Sequence, residues 1–131
     1  MKVVIINRTE AADISQTADT TNSTFEAPFA GKLNIEASYI EWTEETGSQT
    51  GTQGVISLEV AGDEVATLIA NQGDVVGETQ TFTVDGTIAT VAQPYAEFDE
   101  GDDIECITKT QASGGTVDGD GTVYLFIEYA V

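Results

Sequence analysis

The sequence predicts an all-β fold built from two antiparallel sheets. From residue 25 onward, short apolar runs are separated by Gly, Asp and Asn about every ten residues, a spacing typical of sandwiches and barrels. No helical periodicity lasts for three turns. The runs define eight candidate strands, a number that suits a two-sheet jelly roll. They are residues 24–27, 32–42, 54–61, 64–70, 79–84, 87–92, 103–109 and 122–129.

The first 24 residues are predicted to form an extended arm. Residues 8–24 are polar, rich in Thr, Ala and acids, and show neither a helical nor a strand period. A short apolar run at residues 3–6 could pair with the main sheet or with a neighbouring subunit, since a lone strand is not stable by itself. The predicted organisation is therefore an arm (1–24) followed by one β-sandwich domain (25–131).

Alternation of apolar and polar residues supports the individual strands, because successive side chains of a strand point to opposite faces. The residues predicted to share a face are Leu33, Ile35, Ala37 and Tyr39 in one strand, and Ile56, Leu58 and Val60 in the next. The short connections at residues 61–63 and 85–86 contain Gly and Asp, as tight hairpin turns do. Local connections of this kind favour antiparallel pairing.

The last strand has apolar side chains on both faces. Val123, Leu125 and Ile127 form one apolar face, whereas Tyr124 and Phe126 place aromatic rings on the other. Either the strand is covered on both sides within the domain, or the two rings pack against another copy of the chain. The second interpretation is favoured, because a sandwich normally leaves its outer faces in water. The predicted interface residues are Tyr124 and Phe126 with Val3 and Ile5 of the arm.

The charge of the chain is strongly acidic: 23 Asp and Glu against 4 Lys and Arg, with a net charge of −19. Such a surface repels nucleic acids and anionic membranes, so neither is an expected partner. Two environments explain the charge. In molar salt the Debye length falls to about 3 Å, which screens the repulsion; alternatively, a basic partner surface complements it. A halophilic or marine source is favoured, because acids occur along the whole chain.

The composition also limits the chemistry. The chain has no His, which removes imidazole bases, Ser-His-Asp sites and common zinc ligand sets. The single Cys106 lies in the apolar run 104–107 and is predicted to be a buried, small hydrophobic residue. A carboxylate pair for glycoside hydrolysis cannot be identified among so many acids. The chain is therefore predicted not to be an enzyme and to need no cofactor.

One acidic cluster is a candidate calcium site, because calcium takes six to eight oxygen ligands and a Gly-containing acidic loop supplies several. The candidate ligands are Asp99, Glu100, Asp102 and Asp103. Their spacing does not reproduce an EF-hand. A solvated turn is the favoured alternative, since runs of charge usually face water.

Three segments, residues 25–33, 98–104 and 121–129, contain an Ala-Pro corner followed by Gly, a Gly-Asp turn before a late strand, and an aromatic final strand. In these features the chain resembles the small jelly-roll structural modules of tailed-virus particles. Similar turns occur in tumour-necrosis-factor-like and complement-like trimers. The resemblance implies a decoration, turret, fibre or tail-associated domain, usually trimeric, and supplies no catalytic residues.

The resemblance thus implies a structural virion protein: a homotrimeric capsid decoration or turret subunit on the outer surface of a tailed-virus head. Its partners would be further copies of itself and the major capsid protein or another virion protein, and it would fold in the host cytoplasm. A receptor- or glycan-binding module of a fibre is the alternative, with loops 43–54, 71–77 and 113–121 as its binding surface. A calcium-dependent lectin or carbohydrate hydrolase is a third hypothesis.

Overall fold

The fold is all-β, as predicted. The computed structural model describes residues 3–85, 89 and 93–131, and this part of the chain contains strands and no helix, hence no helix able to cross a membrane. Ten strands are present. They are β1 (Val3–Asp13), β2 (Thr20–Glu26), β3 (Gly31–Trp42), β4 (Val55–Val60), β5 (Asp63–Ile69), β6 (Thr79–Thr81), β7 (Thr83–Val84), β8 (Tyr95–Phe98), β9 (Asp103–Thr110) and β10 (Asp120–Ala130).

The strands form two antiparallel sheets that share one hydrophobic core. Sheet 1 has the order β1-β10-β3, and both β6 and β8 pair with the far side of β3. Sheet 2 has the order β2-β9-β4-β5-β7. Buried side chains from both sheets, including Leu33, Leu58, Ile104 and Leu125, belong to a single cluster. Burying such apolar surface is the main favourable contribution to folding.

Two local predictions are confirmed. Ile56, Leu58 and Val60 of β4 are buried. The β4–β5 hairpin closes through a two-residue turn, Ala61-Gly62, in which both residues have positive φ (53° and 83°), as a type I′ turn requires.

Cys106 is buried as predicted, at 1% exposure, and desolvation by this burial raises the pKa of its thiol to about 12. The thiolate is the reactive form of cysteine. Cys106 is therefore an unreactive part of the core.

The prediction for β3 was wrong beyond Ile35. Ala37 and Tyr39 were expected to face the core, but Ser38, Ile40 and Trp42 are the buried residues there. The register of β3 against β10 shifts between the pairs Phe126–Asn34 and Tyr124–Tyr39, so β3 has extra residues in a bulge. The Ser38 hydroxyl holds the bulge, donating to the Asn34 carbonyl (2.7 Å) and accepting from the Phe126 N–H (3.2 Å).

The predicted arm is also different in the structure. Within residues 1–24, residues 3–13 form β1, paired with β10 along its whole length, and β2 begins at Thr20. Polar side chains do not prevent strand formation here, because β1 is an edge strand and one side of it faces water. The segment is thus part of both sheets rather than a separate extension.

The predicted strand at residues 79–84 is two strands in different sheets. Thr79–Thr81 pairs with β3 in sheet 1, and Thr83–Val84 pairs with β5 in sheet 2. The chain passes from one sheet to the other at Phe82, whose buried ring is 7% exposed. β8 was not predicted as a strand. The expected strand at 87–92 and the turn at 85–86 fall largely or partly outside the described residues.

Candidate functional site

The outer face of sheet 1 contains the aromatic side chains that the sequence singled out. In β10 the buried residues Val123, Leu125 and Ile127 alternate with half-buried Tyr124 and Phe126. Since the odd-numbered side chains fill the core, the two aromatic side chains project from the opposite face of the sheet.

The neighbours of these rings follow from the register of the sheet. Tyr124 lies opposite Tyr39 of β3, and their rings stack with centroids 5.0 Å apart. Phe126 lies between Asn7 of β1 and Asn34 of β3. Because directly paired residues of neighbouring strands share a face, all of these side chains belong to the same outer surface.

Val3 and Ile5 extend this surface toward the edge of the sheet. In β1 they lie opposite Ala130 and Glu128, and they are 60% and 65% exposed. Tyr95 of β8, opposite Asn34, adds a fourth aromatic ring at 36% exposure. The structure thus places all four predicted interface residues on one face. Sequence reasoning missed Tyr39 and Tyr95: the bulge that turns Tyr39 outward has no sequence signal, whereas β8 does alternate Tyr-Ala-Glu-Phe.

We define the aromatic face by Val3, Ile5, Tyr39, Tyr95, Tyr124 and Phe126. The charged residues paired on the same side of the sheet are Glu41, Glu97, Glu128 and Lys32. Lys32 has its Nζ atom 3.7 Å from a Glu128 carboxylate oxygen and 4.8 Å from the centroid of the Tyr95 ring. A cation over an aromatic ring is a favourable contact. Lys32 thus balances part of the negative charge of this face.

A cleft of about 670 Å³ adjoins the aromatic face at the end where Val3 and Lys32 lie. It lies among the start of β1, the start of β3 and the end of β10, and Val3, Lys32, Phe98 and Tyr129 are part of its wall. The Tyr129 ring makes edge contacts with Phe98 and with Phe29, each at 6.0 Å between centroids. The face is therefore concave at this end, where a side chain from another molecule can be accommodated.

The outer face of sheet 2 contains a row of paired acids. Glu105, Glu59 and Glu64 are directly paired across β9, β4 and β5, so three carboxylates form one row. Lys109 binds Glu64 at 2.8 Å. Partial burial, followed by the nearby charges of Glu105 and Glu64, raises the pKa of Glu59. Such a face is stable only in contact with water or with cations.

Replacing Glu59 with Gln is therefore expected to stabilise the protein at neutral pH. A raised pKa means that the folded state holds the proton more tightly than the unfolded state, so native stability falls as pH rises through the window above the ordinary carboxyl pKa. Gln removes this penalty. Urea unfolding at pH 7 should show a higher free energy of unfolding for Glu59→Gln, and the gain should shrink near pH ~4. An equal gain at both pH values, or a similar gain for exposed Glu100→Gln, would contradict the explanation.

The four candidate calcium ligands do not come together. The Asp99 N–H donates to an Asp102 carboxylate oxygen (2.8 Å), and the Asp102 N–H donates to the Asp99 carbonyl (3.1 Å). Gly101, with a φ of 90°, closes this turn. Within the described ranges, no group of three or more acidic or Cys side chains is arranged to hold a metal ion. The acids of this turn stabilise its own backbone instead.

The loops at one end of the molecule are joined into a single surface. Gln49, only 1% exposed, donates to the Asn71 carbonyl (3.0 Å) and accepts from the Gly54 N–H (2.8 Å). Thr46 also donates to the Asn71 carbonyl (2.6 Å). The Ser48 hydroxyl accepts from the Thr116 N–H (2.9 Å). Loops 43–54, 71–77 and 113–121 are therefore fixed relative to one another.

Comparisons with known proteins do not add a functional assignment to this geometry. No family model matches the chain, and no curated protein is similar to it. The functional conclusion must therefore be drawn from the surfaces described above.

Proposed function

We propose that this chain is a structural virion protein, a capsid decoration or turret subunit that assembles as a trimer on the outer surface of a tailed-virus head. In this proposal the aromatic face of sheet 1 forms the contact between subunits. The protein acts mechanically, by covering or reinforcing the shell, and catalyses no reaction. The acidic surface outside the contact keeps a particle with many copies soluble in a salty medium.

The proposal also assigns the fold as a jelly roll. β6 and β7 are short and lie where the chain passes between the sheets. Without them, β1, β10, β3 and β8 form one sheet, and β2, β9, β4 and β5 form the other. Two four-stranded antiparallel sheets with the chain alternating between them are the jelly-roll pattern. This order supports the resemblance to the trimeric virion modules.

The observation on which the proposal depends is the difference between the two outer faces. Both faces of a free sandwich are normally wet and polar. Here sheet 2 presents a row of Glu together with the aliphatic residues Ile69 and Ile107, whereas sheet 1 presents stacked tyrosines, Phe126 and two exposed aliphatic residues. Exposed patches of this kind mark interaction sites. Aromatic residues are also the group most enriched in the buried centres of interfaces.

The charge of the molecule favours another copy of the chain as the partner on this face. Two copies with a net charge of −19 repel each other except where acids are sparse. The centre of the aromatic face is such a region, because Phe126 lies between the uncharged Asn7 and Asn34. Lys32 compensates part of the charge of Glu128 and Glu97 at one end of the face. Molar salt would screen the remaining repulsion, so the assembly should be strongest in high salt.

The direct test is binding of the native protein to virus particles that were assembled without it. Co-sedimentation in molar salt should show saturable binding, and the bound protein should be released as a trimer. A variant with Phe126→Asp should bind less, because three linked subunits engage the shell more tightly than one. Absence of the native protein from the particle pellet at every salt concentration would contradict the decoration role.

A receptor- or glycan-binding module of a fibre is the second candidate, and the fixed loop end supports it. Gln49, Thr46 and Ser48 hold the three loops in one arrangement, and preorganised loops bind ligands at a lower entropy cost. Binding of the native protein to specific sugars on a glycan array, removed by Gln49→Ala, would favour this role. An array without signal would leave the structural role as the better proposal.

A further inference from the structure

The direction of the backbone groups in β1 can be read from hydrogen bonds on the other side of β10. The N–H groups of Phe126 and Ala130 point toward β3, where they donate to Ser38 and to the Ala30 carbonyl. Backbone groups alternate in direction along a strand, so the N–H and C=O groups of Leu125, Ile127 and Tyr129 point toward β1. Their partners in β1 are Arg8, Ile6 and Val4. The backbone groups of Val3, Ile5, Asn7 and Thr9 therefore point away from the sheet.

The chain covers the far end of this edge by itself. The Ser23 hydroxyl donates to the Ala11 carbonyl (3.1 Å), and the Thr108 hydroxyl donates to the Asp13 carbonyl (2.7 Å). Both acceptors are odd-numbered, which agrees with the direction derived above. Within the described ranges, β10 is the one strand that pairs with β1. The open edge is thus confined to residues 3–9.

This edge lacks the devices that usually protect an exposed strand. The β1–β10 register continues over all eleven residues of β1 without a bulge. The segment 3–9 contains no Pro and no Gly, and four of its residues are Val or Ile. Its one charged residue, Arg8, lies on the inner face, with its guanidinium 3.9 Å from the centroid of the Phe25 ring. A regular, apolar edge of this kind is a template for another strand.

The charge of the first nine residues indicates which strand would pair with this edge. The first nine residues include two of the four cations of the chain and none of its 23 acids. Two copies that repel each other elsewhere can therefore approach along this edge. Val3 and Ile5 are also the most exposed residues of the aromatic face, so the edge adjoins the proposed subunit contact.

We propose that β1 of one copy pairs antiparallel with β1 of a second copy, about a two-fold axis near Ile6. In this register Val3 would lie opposite Thr9 of the second copy, and Ile5 opposite its Asn7. The four pairs formed in this way would each exchange two hydrogen bonds, about eight in total. The axis leaves Ala11 and Asp13 with their internal partners. The contact joins two sheets into one and is separate from the three-fold contact, so it would link one trimer to another. A contact this narrow is weak and depends on concentration.

Replacing Asn7 with Pro tests the pairing. Pro removes the outward N–H but no hydrogen bond to β10, and an edge strand accepts Pro at such a position. In molar salt, light scattering of the native protein should show the molar mass rising above that of a trimer with increasing concentration. Asn7→Ala, which keeps the N–H, should show the same rise, whereas Asn7→Pro should not. A rise in Asn7→Pro equal to that of the native protein would overturn the proposal.

Hydrogen exchange of the native protein gives a second test that needs no variant. The amides of Ile6 and Arg8 should be protected at all concentrations, because they bond to β10. Those of Ile5, Asn7 and Thr9 should become protected only at the concentrations where the molar mass rises above that of a trimer. Fast exchange of these three amides in the larger species would overturn the proposal. Phe126→Asp separates the two contacts: if only the three-fold contact exists, this variant stays monomeric at all concentrations, whereas edge pairing converts it to a dimer.

Discussion

Replacing Phe126 with Asp is expected to convert the proposed trimer to a monomer in molar salt at low concentration. The ring is half-buried on the outer face of sheet 1, between Asn7 and Asn34. In the proposed contact it lies at the centre of the aromatic face. A carboxylate there would be desolvated by the second subunit and would lack a counter-ion, and such a loss usually costs several kcal/mol. Light scattering or sedimentation measures the change directly.

Ile107→Asp is the matched control. Ile107 is a half-buried apolar residue on the outer face of sheet 2, in a strand flanked on both sides. Its replacement adds the same charge and removes a similar side chain, but from the face that the proposal leaves in water. This variant should remain a trimer. A Phe126→Asp protein that stays trimeric, or an Ile107→Asp protein that dissociates to the same extent, would contradict the placement of the contact.

Replacing Leu125 with Ala is expected to destabilise the folded chain strongly. Leu125 is adjacent to Phe126 in β10 but points into the core, where it is fully buried. Truncation of a buried Leu removes apolar contacts and leaves a cavity, which costs about 2–5 kcal/mol. The free energy of unfolding should fall by this amount in urea titrations performed in dilute buffer.

The neighbouring change, Phe126→Ala, tests whether the two faces of β10 have different roles. Under the same dilute conditions it should cost less than Leu125→Ala, because the Phe126 ring is only half-buried in the single chain. In molar salt the two variants should differ in the opposite way in their effect on assembly, measured as molar mass. Phe126→Ala should weaken the proposed trimer, whereas Leu125→Ala should remain assembled under conditions in which it is folded. A larger loss of folding stability for Phe126→Ala would mean that the ring serves the monomer rather than a contact.

Much of the architecture was predictable, because strands with one buried face leave a period of two in the sequence. β4 and β10 are recognised in this way, and the turn after β4 is recognised by Gly62, a residue suited to positive φ. The bulge in β3 was not predictable. It depends on Ser38 bonding to both Asn34 and a residue far along the chain, Phe126, and no local pattern records such a contact.

The error over residues 1–24 has a similar cause. β1 looks like a polar arm after Ile6, because its outer side faces water and its inner side includes Arg8 and Glu10, which pair with each other at 2.6 Å. Its strand conformation depends on pairing with β10, more than one hundred residues later in the sequence. Long-range pairing can override a weak local pattern.

The candidate surface was partly predictable for a related reason. Tyr124 and Phe126 were identified because they break the alternation of β10, and a break in a pattern is visible in a sequence. The roles of Tyr39 and Lys32 depend on the register of the strands in sheet 1, which stacks Tyr39 on Tyr124 and places Lys32 over the Tyr95 ring. The acids at 99–103 were a candidate ligand set because they are close in sequence, with a solvated turn as the favoured alternative, and in the structure an Asp102 carboxylate oxygen accepts from the backbone of its own turn.

The most direct test of the central claim is the molar mass of the native protein, measured by light scattering in molar salt and again in dilute buffer. Assembly through the aromatic face predicts a trimer in molar salt, or paired trimers at high concentration, and loosening of the trimer in dilute buffer as repulsion among copies of net charge −19 becomes unscreened. A monomer under both conditions would contradict the assembly role and favour the ligand-binding alternative.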